Sequence, residues 1–172
     1  MPNKKIIVRA EDVPLFVEQL RSKGNKCIGV TGEDLFYEYK LKNSLSNIIK
    51  ITKVPSYFSR LPSGRSVSFL KPTLCLLGPQ GKTLNLLEKE LVVAIDQKYT
   101  AIAEKFLKEQ QQKGFKFKKI FLRGATEELA KTGIADLVID VVFSGAAARD
   151  ANLKVYERIF EGDVILVGDS NE

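Results

Sequence analysis

The 172-residue chain has no histidine, no tryptophan, one methionine and two cysteines. Without histidine it can build no imidazole metal site, no Ser-His or Cys-His nucleophilic pair and no imidazole general base. Catalysis would have to rest on carboxylates, lysine, tyrosine, backbone dipoles or a bound ion. Cys27 and Cys75 each stand in a strand-like apolar run, the setting of buried reduced thiols rather than of a disulfide or a reactive pair. Long apolar runs are missing too: Leu137 to Val142 and Leu74 to Leu77 fall far short of the roughly 20 residues of a membrane span. The opening Met-Pro-Asn-Lys-Lys carries no apolar stretch resembling a secretory signal, so a cytoplasmic protein with no membrane partner is expected. No repeat or low-complexity tract competes with a globular reading.

Acids are the minority charge. The chain has 27 Lys and Arg against 21 Asp and Glu, a net charge of +6 that suits an anionic partner: nucleic acid, an acidic surface or a phosphorylated small molecule. The densest basic stretch, "KGFKFKK" from Lys113 to Lys119, interleaves Phe115 and Phe117 with lysines. It reads either as a ribbon for single-stranded nucleic acid, together with a loop carrying Arg60 and Arg65, or as a strand with Phe inward and Lys outward.

The chain alternates strand and helix signals. Lys5 to Val8 reads as a strand; Asp12 as an N-cap with Pro14 in the first turn and Gly24 as the stop; Cys27 to Val30 as a strand; Glu33 and Asp34 as the acidic first turn of a helix. A strand within Asn43 to Val54 precedes "PSYFSRLPSGRS", the expected crossing between lobes. Strands follow at Thr73 to Leu77, Leu91 to Ile95, Lys116 to Leu122, Leu137 to Val142, Lys154 to Phe160 and Val164 to Val167. Helices are expected at Tyr99 to Lys113 and from a Thr126 cap to Ala130, with Gly133 as the stop. Leu137 to Val142 is apolar on both faces, as in a central parallel position. This order predicts an α/β fold with mostly parallel pairing and ligands beyond the carboxyl ends of strands.

Three places invite a ligand. "GPQGKT", Gly78 to Thr83, imitates a phosphate-binding P-loop but is two residues short of G-x-x-x-x-G-K-[ST], which leaves a plain turn as the stronger reading. Arg9 and Asp12, with Thr31, Gly32 and Asp34, follow the first two strands. Asp12 and Asp34 also read as helix-end acids, whereas Arg9, a charge directly after an apolar strand, reads equally as structural or as facing a ligand. The third is "ADLVIDVVFSGAAARDANLK", with Asp136, Asp140, Ser144 and Gly145. If Ala146 starts a helix, the N-H groups of Gly145 through Ala148 can hold an anion without any side chain; the alternative is a turn capped by Ser144.

Read together, these segments resemble the ATP phosphoribosyltransferase catalytic domain, a glycosyltransferase that carries out the first step of histidine biosynthesis. "VRAEDVPLFVE" is similar to R-x-x-D-[VI]-P-x-[YF]-V-E, "IGVTGEDL" to G-I-T-G-x-D-[LV], and "ELVVAIDQKY" to a strand ending in A-T-K-Y. "RGATEELAKTGIADLVIDVVFSGAAARDANLK" is similar to S-G-[AS]-V-E-L-A-P-x-x-G-x-A-D-x-[IV]-x-D-[IV]-V-x-[ST]-G-x-T-L-R-x-N-x-L, gap-free from Gly124 to Gly145.

The resemblance implies a two-lobed fold of the type II periplasmic-binding-protein kind. Residues 1–66 and 160–172 would form lobe I and residues 67–159 lobe II, with the active site in the cleft. It implies transfer of phosphoribosyl from phosphoribosyl pyrophosphate to N1 of the adenine of ATP, with Mg²⁺ accompanying the polyphosphate and no protein metal ligands assigned. Homo-oligomers or a complex with a partner chain are also implied.

By matching positions, Arg9, Asp12, Thr31, Gly32, Asp34 and Glu127 would bind nucleotide. Asp140, Ser144, Gly145, Ala146, Ala147, Ala148 and Arg149 would bind phosphoribosyl pyrophosphate, with Asp140 and Arg9 as the catalytic pair. Departures matter as well. Ala147 stands where the family has threonine, and Ala148 replaces leucine. The family's opening strand and P-K-G-R-L segment have no counterpart before Lys4, so one central strand of lobe I is expected to be absent. A non-catalytic descendant that binds a nucleotide or phosphosugar, or serves as an assembly subunit, is the alternative.

Overall fold

Short apolar strands punctuated by left-handed glycines set the architecture of the computed structural model, which describes residues 4–54 and 71–169. The chain divides into two compact units, Met1–Ser56 with Asp163–Glu172, and Tyr57–Gly162. The fold is α/β. The expected crossing loop, with Arg60, Arg65 and the 66/67 boundary, lies outside the described residues.

In the first unit, α1 (Val13–Ser22), β1 (Gly29–Gly32), α2 (Glu33–Lys42), β2 (Ile49–Lys53) and β8 (Val164–Gly168) build a three-stranded sheet in the order β1-β8-β2. Both pairings are antiparallel. Val17, Phe36, Tyr39, Ile48, Ile165 and Val167 form its core. Gly29 is glycine because a Cβ there would run into the Val13 and Val17 methyls of α1.

Two sequence expectations fail in this unit. Lys5 to Val8 is not a strand: among the described residues no backbone hydrogen bond joins it to another segment, and Ile7 is 82% exposed. β-propensity alone makes no strand without an edge to pair with. Asp12 stands at the N-cap position, but its backbone is already helical and its side chain makes no cap bond, because a 3₁₀ turn over Ala10–Asp12 precedes α1.

The second unit holds a five-stranded sheet in the order β5-β4-β6-β3-β7, from β3 (Thr73–Pro79), β4 (Glu90–Asp96), β5 (Lys116–Leu122), β6 (Leu137–Val142) and β7 (Leu153–Glu161). β4 pairs parallel with both β5 and β6; β3 pairs antiparallel with β6 and β7. Leu137, Val138 and Ile139 are fully buried, as a strand apolar on both faces requires. Helix α3 (Thr100–Gln112) buries Ile102, Ala103, Phe106 and Leu107; α4 (Thr126–Lys131) and α5 (Ala146–Asp150) follow β5 and β6. Among the described residues no helix is long and apolar enough to cross a membrane.

The Lys113 to Lys119 stretch takes the strand reading. Phe115 is buried under the Lys89 ammonium, 4.0 Å from the ring centre, and so cannot stack on a base. Lys116 and Lys119 are paired with Glu90 and Glu104 at 2.8 and 3.1 Å. "GPQGKT" is also structural. Gly78 and Pro79 end β3, Gly81 turns at φ 80°, and no helix longer than the three-residue turn Leu84–Leu86 follows. The Tyr156 ring occupies the place of a Gly78 side chain, and its hydroxyl donates to the Pro79 carbonyl at 2.9 Å. Gly78→Ala is therefore expected to lower stability by about 1–3 kcal/mol in urea denaturation, with anion binding unchanged. The Cys75 thiol is fully buried, and that burial pushes it up to about 12, so it is a packing residue.

Candidate functional site

The parallel strands β4, β5 and β6 end together at Asp96, Leu122 and Val142, and the segments leaving them make the candidate site of the second unit. Each segment has its own device. After β4, the buried Asp96 carboxylate accepts the Lys98 N-H at 3.0 Å and caps a 3₁₀ turn. After β5, Gly124 and Ala125 take successive left-handed conformations, φ 76° and 54°, and turn the chain straight into α4. The Arg123 guanidinium donates to the Gln97 amide oxygen at 3.0 Å and ties the first two segments together.

After β6 the chain passes Phe143 and Ser144 to Gly145, left-handed at φ 70°, and enters α5. The Ser144 hydroxyl accepts the Ala146 N-H at 3.3 Å, and the Arg149 guanidinium donates to the Ser144 carbonyl at 3.0 Å. The first intrahelical bond runs from Arg149 N-H to Gly145 carbonyl at 3.0 Å. Helix geometry leaves the preceding N-H groups without an intrahelical acceptor, and among the described residues no backbone carbonyl takes those of Ala147 and Ala148. Gly145 and not Ser144 holds the cap position; the Ser144 hydroxyl occupies the Ala146 N-H, and those of Ala147 and Ala148 are left without a backbone acceptor among the described residues.

Asp140, near the end of β6, is the electrostatic centre. Its carboxylate accepts the Thr126 hydroxyl on one oxygen and the Val141 N-H at 2.6 Å on the other. Burial holds this carboxyl above the usual range. The two hydrogen bonds oppose that rise, while the neighbouring charges of Glu127 and Asp96 add to it. Thr126, expected as a helix cap, spends its hydroxyl on Asp140 and Glu127 instead, because Ala125 holds the cap position and Thr126 points into the core with no exposure.

Asp136 is not part of this site. It bridges β6 to β4 from the opposite end of the strands, its carboxylate accepting the Val92 N-H at 2.7 Å and its own N-H donating to the Val92 carbonyl at 2.9 Å. Asp96, Thr126 and the Gln97–Arg123 tie were not singled out as site residues from sequence. Asp96 could have been found by asking which polar residue ends each parallel strand.

The remaining candidates lie in the first unit, apart from Glu127, which stands in α4 of the second. Arg9 is exposed, and its carbonyl accepts the Asp12 N-H at 3.0 Å. Thr31 is buried and donates its hydroxyl to the Ala10 carbonyl at 2.6 Å, which draws the Arg9–Asp12 turn to the carboxyl end of β1. Gly32 precedes α2, and the Asp34 carboxylate occupies the space a Gly32 side chain would need. Arg9, Asp12, Thr31, Gly32 and Asp34 thus share one end of the first unit's sheet. Its neighbour Glu33 accepts from Lys50 at 2.5 Å and carries a lowered pKa: burial alone would raise it, and the bonds from Lys50 and the Asp163 N-H outweigh that.

Residues 9–172 match the sequence model of the family described as HisG: ATP phosphoribosyltransferase. The ATP phosphoribosyltransferase of Petrotoga mobilis is 31% identical over 159 residues, which cover 92% of this chain and 63% of that protein. The one from Sulfurisphaera tokodaii is 26% identical over 167 residues, 96% of this chain and 50% of that protein. The chain therefore spans between half and two thirds of the length of these curated relatives.

Among solved structures, the ATP phosphoribosyl transferase (HisG:HisZ) complex from Thermotoga maritima superposes with a TM-score of 0.68 at 23% identity, over 95% of this chain and 67% of that one. The periplasmic aliphatic sulphonate binding protein SsuA from Escherichia coli superposes with a TM-score of 0.59 at 16% identity, over 94% of this chain and 53% of that one. The shared fold is of the type II periplasmic-binding-protein kind.

Proposed function

The chain belongs to the ATP phosphoribosyltransferase family, and from that premise we propose that its second unit holds phosphoribosyl pyrophosphate and transfers the phosphoribosyl group to N1 of the adenine of ATP. The observation that carries this reading is the Gly145 turn, which leaves the Ala147 and Ala148 N-H groups without a backbone acceptor just past a half-buried Asp140. The N-H groups suit the 5-phosphate, and the carboxylate suits the ribose.

In the reaction the N1–C1 bond forms, the C1–oxygen bond breaks, and pyrophosphate leaves with that electron pair. Positive charge builds on the ribose as the bond breaks, and a carboxylate fixed by the Thr126 hydroxyl and the Val141 N-H meets that charge without reorganising. Arg9, Asp12, Thr31, Gly32 and Asp34 in the first unit, and Glu127 in the second, are the proposed nucleotide residues, with Arg9 as the cation for developing negative charge.

No histidine is needed, because alignment and charge supply the catalysis. Among the described residues no group of three or more Cys, Asp or Glu side chains could hold a metal on its own. Mg²⁺, a hard cation that takes oxygen ligands, would accompany the polyphosphate substrate and offset its charge. The proposed assembly includes a partner chain or a second copy; the Thermotoga maritima structure is a HisG:HisZ complex.

One observation favours binding without transfer: Ala147 brings no hydroxyl to the turn. A hydrogen bond from a hydroxyl to a charged phosphate is worth about 1.5–3 kcal/mol, so Ala147→Thr is expected to tighten phosphoribosyl pyrophosphate binding by about tenfold or more, read by calorimetry. The reaction itself is tested by mixing the protein with ATP, phosphoribosyl pyrophosphate and Mg²⁺ and following phosphoribosyl-ATP by mass. Product supports the transferase. Binding with no product, alone or with the partner chain added, leaves the phosphosugar-binding descendant.

A further inference from the structure

A glutamine interrupts the apolar stripe of α3. Ile102, Ala103, Phe106, Leu107 and Gln110 follow one another at the three- and four-residue spacing of a single helix face, and all of them are buried. Gln110 is 2% exposed. Its side-chain N-H reaches the Glu157 carboxylate at a long 3.4 Å, and among the described residues its amide oxygen has no hydrogen-bond partner. A buried oxygen without a donor destabilises the fold, whereas a leucine or methionine would continue the stripe, so helix packing gives no reason for this residue.

The Gln110 side chain lines a pocket of about 370 Å³ in the second unit, among the end of α3, the Leu84–Leu86 turn and the start of β7. Small-molecule sites usually measure roughly 300–1,000 Å³. A bulge in β7 gathers charge there. Gly78 pairs with Lys154, Leu77 with Val155 and Leu76 with Glu157, which leaves Tyr156 as the extra residue. A regular strand would send Lys154 and Glu157 to opposite faces; the bulge brings both to the pocket, where Lys113 from the end of α3 joins them. Among the described residues neither lysine nor Glu157 is in an ion pair, and the Lys154 ammonium stands 5.7 Å from the centre of the Tyr156 ring.

We propose that this pocket binds a small zwitterion, a short carbon skeleton carrying one ammonium and one carboxylate. The ligand follows from what the walls lack. The Gln110 amide oxygen and the Glu157 carboxylate are acceptors side by side, and an ammonium, with three donors and a positive charge, serves both. Lys113 and Lys154 supply two cations for the carboxylate at the other end. A phosphate or a plain carboxylate would meet the lysines, be repelled by Glu157 and leave the Gln110 oxygen without a donor. An amine alone would face two lysines. The pocket sits level with Leu76 and Leu77, which pair with Ile139 and Val138 early in β6, whereas the Gly145 turn lies beyond Val142 at the far end of that strand. Binding here is therefore separate from the reaction proposed above.

The test is titration of the ¹⁵N-labelled full chain with glycine, β-alanine and 4-aminobutyrate, which space the two charges differently, followed by the hydroxy acid and the simple amine of the same length as the best binder. The expected result is a saturable shift of the Gln110 side-chain amide and of the backbone amides of residues 154–157 with at least one of the three. The matching hydroxy acid and amine should each bind about tenfold or more weakly, as each forfeits hydrogen bonds to a charged group. Lys113→Ala/Lys154→Ala should weaken the best binder by about tenfold or more for the same reason. Gln110→Met should weaken it comparably and leave the melting temperature unchanged or higher, since it removes the unpaired oxygen and keeps the volume.

Three results would overturn the proposal. One is no saturable shift at Gln110 with any of the three amino acids. Another is a hydroxy acid that binds as tightly as the amino acid, which makes the pocket a plain anion site. The third is binding that survives unchanged in Lys113→Ala/Lys154→Ala, which places the ligand elsewhere; a Gln110→Met chain that melts lower and binds equally well would return Gln110 to a packing role.

Discussion

Asp140→Asn is expected to lower phosphoribosyl transfer by about 10²- to 10³-fold while leaving the melting temperature unchanged or higher. The two halves of this result have one cause. Burial holds the Asp140 carboxyl above its ordinary value of 3.8, so ionising it lowers the stability of the folded chain. Asparagine keeps one oxygen, which accepts the Val141 N-H, and presents its amide NH2 to the Thr126 hydroxyl, which then accepts, but it carries no charge to meet the ribose.

The pH dependence has a definite sign. A carboxyl raised in the folded state binds its proton more tightly folded than unfolded, so it costs nothing below pH 3.8 and lowers stability as pH rises from there through the raised value. The difference in melting temperature, variant minus wild type, should grow over that window and then level off. A variant that loses both activity and stability would identify Asp140 as a structural anchor instead.

The second large effect is expected at Gly145. Its φ of 70° lies in the left-handed region, where a β-branched residue is a genuine outlier. Gly145→Val should cost about 1–2 kcal/mol in stability. Its larger effect falls on binding: relieving the strain swings the Ala147 and Ala148 N-H groups off their common direction, and phosphate affinity falls by about a hundredfold, since hydrogen bonds to a charged group contribute about 1.5–3 kcal/mol each. Gly133→Val is the control. It carries a comparable strain, φ 73°, at the end of α4, and should show the stability loss with affinity unchanged.

Much of this arrangement could be read from residues. Lys116–Leu122 and Leu137–Val142 are strands with the bounds expected from sequence, because their ends are marked by glycine and acidic turns and their neighbours are helices of opposite period. Glu33 and Asp34 open α2, and Gly24 turns the chain beyond α1 at φ 79°, for equally local reasons. What sequence missed depends on neighbours.

Lys5–Val8 has every local mark of a strand and lacks only an edge to bond to. Cys27 and Ile28 read as the start of β1, yet the strand begins at Gly29, where α1 passes close enough to exclude a side chain. Thr126 looked like a cap, and the left-handed Ala125 that displaces it is set by a turn no propensity marks. Asp136, just before β6, and Asp140, within it, are four residues apart, but only the fold assigns one to a bridge between strands and the other to the candidate site.

The central claim is that the segments beyond β4, β5 and β6 hold the phosphoribosyl group. It is tested most directly by titrating ¹⁵N-labelled protein with phosphoribosyl pyrophosphate and Mg²⁺ and following the backbone amides. The account requires the largest shifts at Gly145 to Ala148, with Thr126 and Val141 moving at the same ligand concentration, and all of them lost in Gly145→Val. Saturable binding that leaves those amides still and moves others, such as Lys113 to Lys119, would contradict it.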